Sequence, residues 1–163
     1  MKKPLKSLDS ALPKVCLGAL AATHLACATP QVRPTPPGED CPADAMRVML
    51  DEFNFAINQV HTAFFPFEVN KLVSLQEGLA LMKTSGDWGN LPNDTSIVGR
   101  LYFSEGRVHG RFTEARLADG RRRPVCLELT DGYERGIAIR TIRGPDIVDV
   151  YPVADLHVVE RFE

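Results

Sequence analysis

The chain has 163 residues, with 19 basic and 21 acidic side chains and a formal net charge of −2. This length allows one folded domain with a modest core once an N-terminal leader is set aside, and it excludes both a second domain and a protein-kinase fold. The absence of a basic excess disfavours nucleic acid as a partner.

The first 26 residues have the layout of a bacterial secretory signal peptide. Lysines precede an apolar run over residues 15–28, and that run is interrupted by Thr23 and His24. It is shorter than the roughly 20 apolar residues that a membrane-spanning helix needs. We therefore expect residues 1–26 to be removed on export with four lysines and one aspartate, which brings the net charge to −5. An apolar N-terminal helix of a cytosolic protein is the alternative.

The cleavage site has two interpretations. Leu25-Ala26-Cys27 resembles the lipobox of bacterial lipoproteins, in which the cysteine receives a diacylglyceryl group and becomes the first mature residue, although His24 replaces the usual aliphatic residue. Ala26-Cys27-Ala28 is also an A-x-A site for ordinary signal peptidase, which would leave a secreted chain without lipid. We expect lipidation at Cys27, a membrane partner through that anchor, and a location in the cell envelope, on the outer membrane or facing the periplasm.

Residues 27–42, which begin with the lipobox cysteine, form a proline-rich segment. Five prolines lie between Pro30 and Pro42, which is typical of a stiff and extended spacer. We interpret this segment as a tether between the lipid anchor and a single domain over residues 43–163. A disordered N-terminal tail is the alternative.

Two further cysteines, Cys41 and Cys126, remain in the expected mature chain beside Cys27. In an oxidising compartment they most simply form one disulfide, which closes a loop of about 85 residues. Two separate buried thiols are the alternative. No pair of cysteines or histidines has metal-ligand spacing, so neither a metal site nor another cofactor is expected.

The pattern after the tether predicts a mainly β domain with one short N-terminal helix. Apolar residues at helical spacing indicate an amphipathic helix over residues 43–53. Strand is favoured within residues 54–73 and again over 78–83. Trp88, in the turn-rich segment that follows, is interpreted as a buried loop anchor, with stacking on a sugar ring as the alternative.

From Thr95 onward, short alternating apolar runs separated by turns predict an antiparallel β meander that forms a small sandwich or a partly open barrel. Cys126 alternates with Val125 and Leu127, so its side chain should point to the opposite face of the sheet. If it bonds to Cys41, the helix must cover that face. The predicted strands lie at residues 97–103, 107–113, 125–129, 136–141, 147–151 and 156–162.

One polar stripe is the candidate binding site. Arg107, His109 and Arg111 alternate along one strand, and Arg100 lies on the neighbouring strand of the predicted hairpin. These four side chains form a cationic face with one titratable histidine, which suits an anionic sugar, a phosphate or a carboxylate. The alternative is a solvated face with cross-strand charge pairs, for example to Glu128.

The chain contains no nucleophile elbow, no H-E-x-x-H, no P-loop and no protein-kinase signature, so no catalytic residue is assigned. The stretch from GDWGNLPND to DGYERG, residues 86–136, resembles small uncharacterised putative lipoproteins of gliding soil bacteria, which automated transfer often labels serine/threonine kinases. The resemblance implies a lipobox, a proline-rich spacer, a Cys41-Pro42 pair and a Pro124-Val125-Cys126 run. It implies no catalytic residues, and the missing motifs conflict with a kinase label.

These observations predict a non-enzymatic, lipid-anchored envelope module that binds a protein or a cell-surface polymer. A small hydrolase or anionic-ligand-binding enzyme that uses the face of Arg107, His109 and Arg111 is one alternative. A structural subunit of an envelope assembly is another.

Overall fold

The computed structural model describes residues 40–68 and 71–162. The predicted signal peptide 1–26, the lipidation site Cys27 and most of the tether 27–42 lie outside the described residues. Among the described residues, no helix combines the length and the apolar character needed to cross a membrane.

One short helix opens the domain, as predicted. It consists of α1, Ala45–Arg47, which continues directly as a π-helical turn over Val48–Glu52. Its buried face is formed by Ala45, Val48 and Met49, whereas Leu50, an apolar residue that a regular helical spacing would place on the same face, is 39% exposed. The wider π-turn changes the angular spacing of successive side chains, so a regular 3.6-residue period misplaces that residue.

Strands account for about half of the described chain and helix for only one short segment, which confirms the mainly β class. The ten strands are β1 Val60–Phe64, β2 Val73–Gln76, β3 Gly78–Thr84, β4 Ser96–Ser104, β5 Arg107–Arg116, β6 Arg122–Thr130, β7 Ile137–Ala138, β8 Thr141–Ile142, β9 Ile147–Val150 and β10 Val153–Val158.

Six strands form a closed antiparallel barrel in the order β4-β3-β1-β10-β6-β5, and β5 pairs again with β4. The barrel is therefore complete. The last strand, β10, lies between β1 and β6, so the meander is interrupted by a return of the C-terminal strand to the first one. The short strand β7 pairs with the start of β5 as an addition to the barrel.

A second antiparallel sheet has the order β2-β9-β8. The predicted strand 136–141 is split, because Ile137–Ala138 pairs with β5 whereas Thr141–Ile142 pairs with β9. Between them the chain passes from the barrel to the small sheet. The predicted last strand also begins earlier than expected, at Val153, and ends at Val158.

The barrel interior is filled by alternate side chains of its strands. Trp88 is also buried, where it stacks on Phe55 at a centroid distance of 4.1 Å and on His61 at 4.8 Å, so its prediction as a loop anchor is confirmed. The largest buried side chains on the barrel strands are Met82, Ile97, Leu101, Phe112, Leu127, Leu129 and Leu156.

The helix covers the outer face of β6 around the disulfide. Cys41 and Cys126 are bonded, with a Cα–Cα distance of 5.3 Å, which confirms the predicted pairing. The backbone N–H of Cys126 donates to the sulfur of Met49 at 3.2 Å. Cys126 is thus buried beneath the helix while Leu127 fills the barrel, as the alternation along this strand predicted.

Candidate functional site

Three of the four predicted ligand-binding residues line one cavity. Arg107, His109 and Arg111 project from the outer face of β5 into a space of about 420 Å³. Arg100 is directly opposite Arg111 in the β4–β5 register, but its side chain is exposed and lies outside this wall. The cavity, termed the arginine cavity below, is completed by Tyr102, Ser104, Glu105, Gly110, Glu128, Leu129 and Arg135.

Arg111 is the most enclosed cation of this wall. It is 6% exposed, and its guanidinium carbon lies 5.7 Å from the ring centroid of Tyr102 and 5.6 Å from that of Phe162. Its partner in the β5–β6 register is Glu128, which is also 6% exposed. Two aromatic faces favour the cation and restrict its orientation. The strand pairing therefore holds a planar five-donor group in a defined position at the cavity wall.

Arg107 has a different role from Arg111, since its donors are bonded to residues 131–136. It donates to the carboxylates of Asp131 and Glu134 at 2.5 and 2.8 Å, and to the backbone carbonyls of Arg135 and Gly136 at 2.8 and 2.7 Å. These bonds fasten residues 131–136, which we term the clamp loop, to β5. Arg107 therefore supports the cavity wall.

The clamp loop is also ordered from within. The Asp131 carboxylate accepts the backbone N–H groups of Tyr133 and Glu134 at 3.1 and 2.9 Å. The Thr130 hydroxyl donates to the carbonyl of Glu134 at 2.7 Å. This side-chain capping is a typical Asx turn, and it fixes the direction in which the loop presents its side chains.

The ordered clamp loop places Arg135 beside Glu128. The Nε of Arg135 lies 3.5 Å from an Oε atom of Glu128, so the two side chains form an ion pair along the edge of the arginine cavity. Arg135 was absent from the predicted site because its sequence position gives no indication of this pairing.

Replacing Asp131 by Asn tests the clamp loop. The hydrogen bond from Arg107, with the backbone N–H bonds from Glu134 and Tyr133, lowers the pKa of Asp131 from 3.8 to about 2, so the charged carboxylate stabilises the fold above about pH 4 and this contribution is lost as pH falls through about 2. Because the side chain is 38% exposed, we expect Asp131→Asn to lower the free energy of unfolding at pH 7 by only about 1 kcal/mol. Urea unfolding at pH 7 and at pH 2, where the folded carboxylate is half protonated, measures this. A deficit of the same size at both pH values would contradict the assignment.

The surroundings of His109 favour its neutral form. Burial lowers its pKa below the usual 6.5, and the charges of Arg107 and Arg135 act in the same direction, against a backbone hydrogen bond with Ser104 and the charge of Glu105. Because its N–H donates to the backbone of Ser104, the neutral imidazole leaves one nitrogen as an acceptor and adds no positive charge beside the arginines.

A second and larger cavity of about 910 Å³ adjoins the first. Glu128 and Arg135 line both spaces, so their ion pair lies where the cavities meet. Tyr133 at the tip of the clamp loop lines the second cavity and is 99% exposed. The sequence predicted only a turn at Asp131-Gly132, and no pattern there indicated a binding role for Tyr133.

No group of three or more His, Cys, Asp or Glu side chains within residues 40–68 and 71–162 is arranged to hold a metal ion. No protein-family model matches the chain, and searches of curated proteins and of solved structures gave no match either.

Proposed function

We propose that this chain is a lipid-anchored cell-envelope protein whose barrel binds an anionic group of an envelope polymer or protein in the arginine cavity. The observation that carries the proposal is the enclosure of Arg111 between Tyr102 and Phe162 at the wall of that cavity. The proposed role is binding, without a bond-breaking step.

Enclosure matters because binding normally requires flexible side chains to be ordered. The Arg111 guanidinium is already oriented by two rings and by the β5 backbone. Binding of a carboxylate or phosphate therefore loses little side-chain conformational entropy at this residue. A guanidinium also matches the two oxygens of a carboxylate with parallel N–H donors. Arg107 contributes indirectly, because it fastens the loop that carries Arg135.

The envelope location is supported by the disulfide. Disulfides persist in oxidising compartments and are rare in the cytosol, and the bond between Cys41 and Cys126 is of the structural kind, buried beneath the helix. Cys41 also stands at the end of the predicted tether. A lipid on Cys27 would thus be linked to the barrel through a short spacer whose far end is crosslinked to β6.

Replacing Arg111 by Gln tests the proposal, with Arg100→Gln as the matched control. Both changes remove one positive charge from paired positions of neighbouring strands, but only Arg111 lines the cavity. The probe is trigalacturonate, titrated calorimetrically into the detergent-extracted mature chain. We expect Arg111→Gln to weaken binding at least tenfold, or about 1.4 kcal/mol, and Arg100→Gln to change it less than twofold.

Two further comparisons separate binding from folding. Arg111→Lys keeps a cation near Glu128 but loses the planar fork, so it should fold normally and still bind weakly. The trimethyl ester of the probe keeps the sugar rings and lacks the charges, so it should not bind. Equal binding of the acid and the ester, or equal losses in the Arg100 and Arg111 variants, would refute an anion site at Arg111.

A further inference from the structure

The second cavity has the composition of a sugar-binding surface. Besides Tyr133 it is lined by one amide, Asn58, by charged side chains that include Glu134, Glu160 and Arg161, and by aliphatic residues. Planar polar groups of these kinds pair with the hydroxyl groups of a sugar, while its C–H groups pack on an aromatic face.

Tyr133 is presented in an unusual way for an exposed aromatic residue. Its side chain is 99% exposed, yet its backbone N–H is bonded to the Asp131 carboxylate, and that carboxylate is held by Arg107. The ring therefore stands on an ordered loop. A ring whose backbone is already ordered loses less freedom when a ligand packs on it.

The arrangement of the two cavities suggests that the ligand is longer than one sugar ring. The arginine cavity and the second cavity meet at the Glu128–Arg135 ion pair, and both side chains face each space. An extended molecule that contacts both cavities would pass this ion pair. Its acidic group would lie near Arg111, and its neighbouring rings would lie near Tyr133.

We propose that the second cavity is a sugar subsite with Tyr133 as its stacking platform, so that the ligand of this protein is an acidic polysaccharide. This inference rests on the proposed function for the acidic group, and it adds the chemical class of the remainder of the ligand. Arg107 is a positioning residue in this arrangement because it acts through the clamp loop.

The test compares a long and a short acidic probe. The mature chain is titrated with hexagalacturonate and with the methyl glycoside of galacturonate. Tyr133→Ala removes the platform and Tyr133→Phe keeps the ring. Tyr151→Ala is the matched control, because Tyr151 is 57% exposed and lines a different cavity. Circular dichroism of each variant verifies the fold.

We expect the wild type to bind the hexamer more tightly than the monomer. Tyr133→Ala should weaken hexamer binding about fivefold or more and leave monomer binding within twofold. Tyr133→Phe and Tyr151→Ala should bind both probes within twofold of the wild type.

The outcomes separate the two proposals. If Tyr133→Ala binds the hexamer as the wild type does, or if the wild type gains nothing from the longer probe, the sugar subsite is refuted while an effect of Arg111→Gln still supports the anion site. If neither probe binds at millimolar concentration, both proposals fail. An equal loss in Tyr133→Ala and Tyr151→Ala would also refute the platform.

Discussion

Gly99→Ala is expected to lower the free energy of unfolding by about 3 kcal/mol, because it places a methyl group against backbone where β4 and β5 close the barrel. An ideal Cβ on Gly99 would lie 2.1 Å from the carbonyl oxygen of Arg111 and 2.5 Å from the Cα of Phe112. Backbone atoms cannot rotate away as a side chain can. The clash can be relieved only if β4 and β5 move apart at this position.

The position is also irregular in register. The pairing of β4 with β5 shifts between Val98 and Gly99, which is a bulge that bends the strand. The carbonyl that meets the added methyl group belongs to Arg111, so we expect the same variant to disturb the arginine cavity.

Gly144→Ala is the matched control for this change. It makes the same substitution at a position where a Cβ would meet no atom within 4 Å and where no positive φ is recorded. Urea unfolding at pH 7 should show a difference of less than about 0.5 kcal/mol between this variant and the wild type. Equal stability of the two glycine variants would contradict the close approach of β4 and β5 at Gly99.

Loss of the disulfide is the second large effect. Cys41→Ala is expected to reduce the free energy of unfolding by about 4 kcal/mol, because the bond joins residues 85 positions apart and limits the freedom of the unfolded chain. Cys41 is the preferred site, since it is only partly buried and leaves the packing of Cys126 under the helix in place.

Reducing agent provides the control within the same experiment. Wild-type protein unfolded in urea with dithiothreitol should approach the stability of Cys41→Ala, and the variant should not respond to the reductant. A wild type that keeps its full stability after complete reduction would show that the bond adds little to the fold. A reductant effect on the variant would point to some other cause.

Much of the fold follows from local pattern. Alternating apolar residues from Thr95 onward predicted β4, β5 and β6, and the same alternation placed Cys126 opposite Leu127. Counting the cysteines that would remain after the expected export predicted the bond to Cys41. These inferences succeed because side-chain direction along a strand is a local property with a period of two.

Closure of the barrel depends on long-range pairing that such a pattern does not contain. Whether the barrel is open or closed is decided by β4 pairing with β5 while β10 inserts between β1 and β6. The split of residues 136–141 has a similar origin, because its two halves find partners in different sheets. Each half is too short to show a period of its own.

The candidate site was predictable in part for the same reason. Alternation placed Arg107, His109 and Arg111 on one face, and all three line the cavity. Alternation could not distinguish Arg107, whose donors bind the clamp loop 24 to 29 residues later, from Arg111, which is enclosed by aromatic rings. It also gave no indication of Tyr133, since the exposure of that ring is set by the loop.

Intact-mass analysis of the protein extracted from membranes tests whether an oxidised barrel is held at the cell envelope by a lipid. We expect the mass of a chain that begins at Cys27 with a diacylglyceryl group and is two hydrogens lighter because of the bond between Cys41 and Cys126. A chain that begins after Ala28 without lipid would contradict the anchor. A chain that still begins at Met1 and carries free thiols would contradict export, the lipid anchor and the disulfide together.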